Sequence, residues 1–154
     1  MSKNISGIIN VDKPPGITSM DIIRRIRRAS GLRRVGHSGT LDPLASGVMV
    51  VALGMATRLL EYITAADKSY NAIIEIGKRT DTYDAEGTVI DVVSDLSVNE
   101  CDIQLAIEKL KGCHSQIPPM HSAIKVNGVK LYELARKGIS INRTPRPVIL
   151  HDAS

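Results

Sequence analysis

The sequence contains no tryptophan and no phenylalanine, and four tyrosines are its whole aromatic complement. Proteins that bind single-stranded nucleic acid without sequence preference stack successive bases on several aromatic side chains, so this class is disfavoured. The two cysteines are too few for a disulfide-stabilised scaffold and favour a reducing compartment. No apolar run approaches the roughly 20 residues of a membrane-spanning helix, and the N-terminus lacks the apolar core of a signal peptide. We therefore expect a cytoplasmic protein with no membrane partner.

The positive charge of the chain is concentrated near its N-terminus. Residues 1–60 hold nine lysines and arginines against three acidic residues, whereas residues 61–154 hold eleven against thirteen. Six of the first nine are arginines that lie between positions 24 and 34. A concentrated basic surface predicts an anionic partner, above all a nucleic acid, although a solvated helix face explains the same charges equally well.

The hydrophobic pattern of the 154 residues predicts an α+β domain with a mixed, mainly antiparallel sheet flanked by helices. The predicted elements are, in order, a strand over 7–11, a helix from Thr18 to Gly31, a loop over 35–47, a strand over 48–53, a helix over 57–63, strands over 70–76 and 88–93, a helix over 98–110, a hairpin that turns at Asn127-Gly128, a helix over 131–137 and a strand that begins at Val148.

Two of these elements carry further expectations. Residues 48–53 form a continuous apolar run, which indicates a central strand buried on both faces. Ser97 and Glu100 predict a capping box at the start of the helix over 98–110. We expect that helix to bury the face formed by Ile103, Ala106, Ile107 and Leu110.

The segment with the strongest chemical signal is the loop over 35–47, where Asp42 stands among glycines and small polar residues. Gly36, Gly39 and Gly47 let the backbone approach a ligand closely, and the strand that follows would hold the loop on a rigid element. This setting suits a nucleophilic or general-base carboxylate. The spacing alone favours a simpler interpretation, in which Asp42 only caps backbone amides of a turn.

Five ordered motifs resemble the TruB family, the bacterial tRNA pseudouridine-55 synthases. The loop sequence GHSGTLDPLASGVM is similar to the signature loop of that family, and it is accompanied in the family's order by GIINVDKPPGITS, by ALG with ATR, by KSY with GKRTDTYDAEG, and by IPPMHSAIKVNGVKLYELARKG. The resemblance extends over nearly all of the chain. It implies the pseudouridine synthase fold and an isomerase that converts the T-loop uridine at position 55 of tRNA to pseudouridine, with no metal and no other cofactor.

Three site residues follow from this resemblance. Asp42 matches the catalytic aspartate of the family. Tyr70 matches the active-site tyrosine that stacks on the target base, although a tyrosine in an apolar strand is by itself more often a core residue. His37 matches the residue that occupies the space left by the flipped nucleotide, because a base inside a folded loop must be extruded before it can react. Lys13 and Pro14 match a turn beside the active site, where we expect a structural role.

The resemblance also implies RNA contacts in the last of the five motifs. Lys125, Lys130 and Arg136 lie there and are expected to contact phosphates of the T-arm stem-loop of tRNA. His121 stands where the family more often has tyrosine. The resemblance therefore does not support a stacking contact at that position. The arginines between positions 24 and 34 receive no individual roles from the resemblance.

Two other kinds of site are weaker alternatives. The residues that suggest a zinc site are Cys101, Cys113, His114 and His121, but their spacing is irregular, so we expect no metal. A retaining glycosidase-like hydrolase would need a second carboxylate opposite Asp42. The candidates for it, by proximity in sequence alone, are Asp81, Asp84 and Glu86.

The catalytic domain of the family is longer than this chain. We therefore expect residues 1–154 to be the N-terminal portion of that domain, without its later part, which carries an arginine partner for the catalytic aspartate, and without the C-terminal RNA-binding module. The chain alone would then be weakly active or inactive, and a truncated, non-catalytic RNA-binding fragment or paralogue is the alternative function. An incomplete sheet would leave one edge strand unpaired, which predicts self-association through that edge or marginal stability.

Overall fold

The computed structural model describes residues 5–120, 122, 124–126, 128–135 and 137–154. The chain is divided into two compact units, Met1–Asn71 and Ala72–Ser154. Both consist of short helices and antiparallel sheets, which confirms the predicted α+β class. Among the residues given above, no helix is long and apolar enough to cross a membrane.

The first unit is built around one three-stranded antiparallel sheet. Its elements are β1 (Gly7–Lys13), α1 (Ser19–Ser30), β2 (Val35–His37), β3 (Gly47–Leu53), a 3₁₀ helix (Gly54–Leu59) and α2 (Leu60–Thr64). The strands lie in the order β1-β3-β2, so β3 is central, as predicted. The prediction that β3 is buried on both faces along its whole length is only partly correct. Ala52 is buried, but Val48 near the start of the strand is 69% exposed.

Two other predictions in this unit need correction. The loop predicted over 35–47 is wrong at its start, because residues 35–37 pair with β3 and the buried side chain of Val35 anchors them there. The helix predicted over 57–63 is divided into a 3₁₀ turn and the short α2. Gly36 explains the close packing of α2 on the sheet, since a Cβ at that position would lie 2.8 Å from Leu60 Cδ1.

Helix α1 begins and ends where its capping residues predict. The Thr18 side chain accepts a hydrogen bond from the backbone amide of Asp21, and the Asp21 carboxylate accepts one from the amide of Thr18. Gly31 ends the helix with a φ of 72°, a left-handed conformation that glycine adopts without steric cost. The buried face of α1 packs on the sheet, and the core consists of Ile22, Ile23, Val35, Met49 and Val51.

The second unit contains three two-stranded antiparallel sheets. Its elements are β4 (Lys78–Thr80), β5 (Val89–Val92), α3 (Glu100–Leu110), β6 (Gly112–Gln116), β7 (Lys125–Val126), β8 (Val129–Lys130), α4 (Leu131–Ala135) and β9 (Arg146–Leu150). The pairs are β4-β5, β6-β9 and β7-β8, and strand β6 was missed by the sequence pattern. The predicted hairpin over β7 and β8 is confirmed, although Asn127 in its turn lies outside the described residues.

Three predictions for residues 70–110 are wrong. Residues 70–76, all of them described, contain no strand, and the side chains of Ile73 and Ile74 are fully and 77% exposed. Helix α3 starts at a cap formed by Asn99 and Asp102, two residues later than the predicted box of Ser97 and Glu100. No residue of α3 is fully buried, and on its predicted inner face Ile107 is half-buried whereas Ile103 and Leu110 are 38% and 51% exposed.

Candidate active site

The candidate site is the segment between β2 and β3, residues 38–46, which is called the Asp42 loop below. Asp42 itself is exposed and starts a tight turn, in which the backbone amide of Ala45 donates to the carbonyl oxygen of Asp42 at 3.1 Å. Aspartate at the first position and proline at the second are favoured in such turns, and Pro43 fills the second position. The turn therefore follows from the local sequence and leaves the Asp42 side chain at the surface.

On the N-terminal side of Asp42, the backbone is fixed by one buried hydroxyl. The Oγ of Ser19, in the first turn of α1, donates to the carbonyl oxygen of Leu41 at 3.0 Å and accepts from the Leu41 amide at 2.9 Å. Ser19 is only 3% exposed, so water competes little for these bonds. Both polar groups of Leu41 are therefore held by a single side chain of the helix.

On the C-terminal side of Asp42, the backbone is fixed by a buried lysine. Lys13 is completely buried, and its Nζ donates to the carbonyl oxygens of Pro14, Ile17 and Pro43 at 3.0, 2.8 and 3.3 Å. The Gly16 amide donates to the same Pro43 oxygen at 2.8 Å. A structural role was predicted for this turn. The turn fills it by holding Pro43, the residue that follows Asp42, in place.

These contacts fix the backbone around Asp42 and leave its carboxylate free to meet a substrate. The residues on both sides of it are bound to α1 and to the turn after β1. Its own carboxylate forms no hydrogen bond or ion pair with another described residue. A reactive carboxylate needs this combination, because the backbone limits its position while its oxygens stay available to a substrate.

His37 ends β2 directly before the Asp42 loop, where it pairs with Val51 of β3. Its Nδ1 lies 2.7 Å from the carbonyl oxygen of Gly39. Because a carbonyl oxygen only accepts, Nδ1 is the donor, and in the neutral ring Nε2 is then free to accept. This hydrogen bond to the Asp42 loop thus fixes the orientation of the His37 ring, which is the side chain predicted to fill the space left by the flipped nucleotide.

Tyr70 lies in the irregular segment after α2, and its side chain is 71% exposed. The interpretation as a core aromatic in a strand is therefore wrong. The same segment approaches the Asp42 loop at Lys68, whose Cε would lie 3.9 Å from a Cβ built on Gly39. The Nζ of Lys68 donates to the carbonyl oxygens of Thr64 and Ala66, both at 2.8 Å, which ties the segment to the end of α2.

The predicted RNA contacts belong to the second unit. Lys125 and Lys130 are backbone partners across the β7-β8 hairpin, so the hairpin brings their Cα atoms together. Arg136 lies outside the described residues, as does His121.

The acidic segment of the second unit uses its carboxylates internally. Asp81 Oδ1 accepts from the Thr88 amide at 2.8 Å, and Asp84 Oδ1 accepts from the Thr82 hydroxyl at 2.7 Å and from the Glu86 amide at 3.0 Å. These bonds give Asp81 and Asp84 a role in shaping the loop between β4 and β5, which weakens the hydrolase alternative.

Three residues of the zinc alternative lie in the described part of the chain, and the fourth, His121, does not. Cys101 and Cys113 are free and exposed. Within the described ranges, no three histidine, cysteine or acidic side chains are grouped as metal ligands.

Sequence reasoning missed Ser19 and Lys68. Ser19 follows the cap residue Thr18, so its position at a helix start was visible, but its bonds to Leu41 are long-range and leave no pattern in the sequence. Lys68 stands beside Tyr70 in the KSY motif, and that neighbourhood was the available signal.

Comparison with known proteins gives a consistent result. The model of a family described as TruB family pseudouridylate synthase (N terminal domain) matches residues 27–154. The tRNA pseudouridine synthase B of Syntrophotalea carbinolica is 46% identical over 148 residues, which are 96% of this chain and 48% of that protein. The tRNA pseudouridine synthase B of Symbiobacterium thermophilum is 45% identical over 150 residues, or 97% of this chain and 50% of that protein. The chain therefore spans about half the length of these relatives.

Two solved structures are similar as well. A chain of a Cbf5-Nop10-Gar1 complex matches 77% of this chain with a TM-score of 0.52 and 32% identity, and 31% of that chain is covered. A chain of an H/ACA RNP bound to a substrate RNA containing 2'-deoxyuridine matches 71% of this chain with a TM-score of 0.50 and 31% identity, and 29% of that chain is covered.

Proposed function

Because the chain belongs to the TruB family of pseudouridylate synthases, we propose that it is the N-terminal portion of the catalytic domain of a tRNA pseudouridine synthase. The proposed reaction isomerises the T-loop uridine at position 55 to pseudouridine, with Asp42 as the catalytic carboxylate. The observation that carries the role of Asp42 is the fixation of both its neighbours, Leu41 and Pro43, while its own oxygens remain unpaired among the described residues. Because the proposed substrate is a tRNA, we propose that the chain acts in the cytoplasm.

The main requirement of this reaction is that the protein holds the ribose and the base in position. The N1–C1′ bond of the uridine breaks, the base turns, a C5–C1′ bond forms, C5 loses its proton and N1 gains one, so uridine and pseudouridine have the same atoms. No oxidant or reductant is consumed. A single carboxylate assists as a nucleophile or as a base, provided that ribose and base stay in register. The fixed backbone on either side of Asp42 supports this role.

Two further residues of the first unit serve the extruded nucleotide in this proposal. His37 fills the gap that the flipped uridine leaves in the RNA loop, and the bond from its Nδ1 to Gly39 supports this role because it orients the ring. Tyr70 stacks on the target base, and its exposure leaves the ring face available. The proximity of Lys68, whose Cε would lie 3.9 Å from a Cβ built on Gly39, supports a place for the Tyr70 segment beside the Asp42 loop.

The RNA in this proposal is the T-arm stem-loop of tRNA. The relatives of similar sequence are named tRNA pseudouridine synthase B, which supports a tRNA substrate. Lys125 and Lys130 supply positive charge from the β7-β8 hairpin to the phosphates, together with Arg136. These three residues position the RNA, and the Asp42 loop acts on it.

A non-catalytic RNA-binding fragment or paralogue is the alternative function. The observation in its favour is that the chain spans about half the length of its relatives. The later part of the catalytic domain would supply a cationic partner for the Asp42 carboxylate, and a C-terminal module would add RNA contacts. Without them the fragment would bind RNA and leave uridine unchanged.

The experiment that separates the two functions is tritium release from T-arm RNA labelled at uridine C5, measured beside the binding of the same RNA. The matched variants are Asp42→Asn and Asp12→Asn, which remove one carboxylate each from exposed positions of the same unit. Release that persists in Asp12→Asn and disappears in Asp42→Asn supports the enzyme. Unchanged RNA binding without release in any variant supports the binding fragment instead.

We propose in addition that the chain self-associates through strand β1. This seven-residue strand lies at an edge of its sheet and pairs on one side with β3. Ile8 and Ile9 are 45% and 38% exposed on it. An edge strand of this length with exposed apolar side chains is a template for pairing with a second copy, and two copies related by a twofold axis would join their sheets.

A further inference from the structure

The arginine cluster of the first unit is divided by the structure into two groups. Arg24 forms an ion pair with Asp21, Arg27 donates to the carbonyl oxygen of Val35 at 3.0 Å, and Arg34 donates to the sulfur of Met55 at 3.5 Å. The other three members, Arg25, Arg28 and Arg33, are exposed and form no hydrogen bond or ion pair with any residue that the structure describes. They are called the α1 arginine surface below.

Local stabilisation of α1 does not account for this surface. A cation in the last turn of a helix interacts favourably with the partial negative charge at that end, and Arg27 and Arg28 lie there. Arg25 lies one turn earlier, however, and Arg33 lies beyond the helix end. Arg25 and Arg28 are three residues apart and thus neighbours on the helix, where like charges repel. Their proximity raises the free energy of the folded chain unless an anion binds.

The surface also belongs to the same unit as the Asp42 loop. Helix α1 starts at Ser19, which holds Leu41, and its 12 residues extend over about 18 Å from that contact. Residues 1–71 hold ten lysines and arginines against five acidic residues, whereas residues 72–154 hold ten against eleven. Excess positive charge is therefore specific to the unit with the candidate active site, and α1 carries it away from Asp42.

We propose that Arg25, Arg28 and Arg33 form a phosphate-binding surface for the stem of the RNA whose loop is presented to Asp42. This inference rests on the proposed function and adds to it a second point of attachment outside the reacting loop. The guanidinium group suits the purpose, since it stays charged and pairs its parallel N–H groups with two phosphate oxygens. An acidic protein would match the charge as well, but the sequence relationship to tRNA-modifying proteins favours RNA.

The test measures the affinity of T-arm stem-loop RNA by fluorescence anisotropy over a series of salt concentrations. The triple variant Arg25→Gln, Arg28→Gln, Arg33→Gln should reduce the slope of log affinity against log salt by about 2 to 3, because each lost phosphate contact lowers it by about 0.7 to 0.9. At about 0.1 M salt we expect the Kd to rise at least 10-fold. Replacing the same three arginines by lysine should retain most of the affinity, which shows that the loss comes from charge.

The control removes three exposed cations from the other unit, as Lys78→Gln, Arg79→Gln, Lys109→Gln, and it matches the α1 variant in net charge, although Lys78 and Arg79 form ion pairs with Glu75 and Asp91. Equal losses in both triple variants would overturn the proposal, because net charge alone would then explain them, and so would unchanged affinity in the α1 variant. Polyglutamate that binds as tightly as RNA of equal charge would overturn the assignment to RNA. Failure of the proposed catalysis stays distinguishable, since Asp42→Asn should bind RNA normally whether or not the wild type releases tritium.

Discussion

At the scale of single residues, the most informative side chain is a lysine without solvent contact. A buried ammonium group is unfavourable unless it is fully hydrogen-bonded, and Lys13 uses its three protons on three carbonyl oxygens. Two of the oxygens belong to its own turn, while the third belongs to Pro43, thirty residues further on. The position of Asp42 thus depends on a residue far from it in sequence.

Ser19 allows a test of whether the Asp42 loop is positioned or only stabilised. Ser19→Ala leaves the amide of the half-buried Leu41 without its acceptor, which costs about 1 kcal/mol of folding stability. We also expect faster hydrogen exchange in residues 38–46 and, in an active chain, a decrease of about 10-fold or more in the rate of tritium release. Amide exchange followed by mass spectrometry and single-turnover release measure the two effects.

Ser30→Ala is the matched control for this substitution. Ser30 stands at the other end of α1, where its Oγ donates to Ile26 and accepts from the Leu32 amide, so it has the same kinds of bonds as Ser19. We expect a comparable loss of stability from it with exchange in the Asp42 loop unchanged. Equal effects of the two variants on that loop would contradict a positioning role for Ser19.

The residues of the candidate site differ in how far the sequence reveals them. Asp42 and His37 stand in one short motif, and the structure places them on one strand end and the loop that follows. Ser19 contacts Leu41 across 22 positions through backbone atoms, which every residue type has. The contact requires a hydroxyl at position 19 but no particular side chain at position 41. A single sequence therefore cannot reveal it.

At the scale of secondary-structure elements, α1 was predicted well because its ends are decided by local chemistry. Thr18, Asp21 and Gly31 satisfy the free backbone groups at the two ends, and these bonds form within four residues. The start of α3 was predicted less well, because Ser97 with Glu100 and Asn99 with Asp102 both have the spacing of a capping box. The local pattern alone did not distinguish the two.

The cap of α1 leads to a prediction on pH. Hydrogen bonds from the Thr18 hydroxyl, then from the Thr18 amide, and the charge of Arg24 hold the pKa of the Asp21 carboxyl below its ordinary value. A group with a lowered folded-state pKa adds stability above its unfolded-state pKa, and this contribution is lost as the pH falls through the folded-state value. Asp21→Asn should therefore lower the thermal unfolding midpoint at pH 7. Its difference from the wild type should begin to shrink near about pH 4, the ordinary pKa of an aspartate, and should vanish only as the pH falls through the lower folded-state pKa.

The comparison variant for this prediction is Asp42→Asn, which removes one carboxylate from the same unit without touching the cap. Circular dichroism melts of both variants and the wild type, from pH 7 down to about pH 3, measure the differences. If Asp42→Asn lowers the midpoint with the same pH dependence, net charge is responsible and the capping argument is wrong.

Strand and helix faces that need a partner were the poorest predictions. Residues 70–76 alternate like a strand, yet a strand exists only with a hydrogen-bonded neighbour, and none is formed in the described chain. The apolar face of α3 obeys the helical period, but Leu110 is 51% exposed. The pattern identifies the apolar side of an element, whereas burial depends on another element that the pattern does not name.

At the scale of the whole molecule, the two units differ in their cores. The first unit buries five side chains of α1 and the sheet as one cluster. Among the described residues of the second unit, Leu131 is the one large aliphatic side chain that is fully buried, and many large apolar residues are exposed. The α+β class followed from the pattern of helices and strands, but the division of the core did not, because it depends on contacts between distant segments.

The proposed pairing of β1 with a second copy gives the last prediction. We expect sedimentation velocity to show a monomer–dimer equilibrium that shifts toward the dimer as the protein concentration rises. Ile8→Lys should abolish the dimer, because a charge on an edge strand opposes edge-to-edge pairing. Val92→Lys on β5 is the matched control, since Val92 is also an exposed strand residue, at 59% exposure, and should leave the equilibrium unchanged. A monomer at every concentration would contradict the proposal, and loss of the dimer in both variants would show that the contact is a general apolar association rather than pairing at β1.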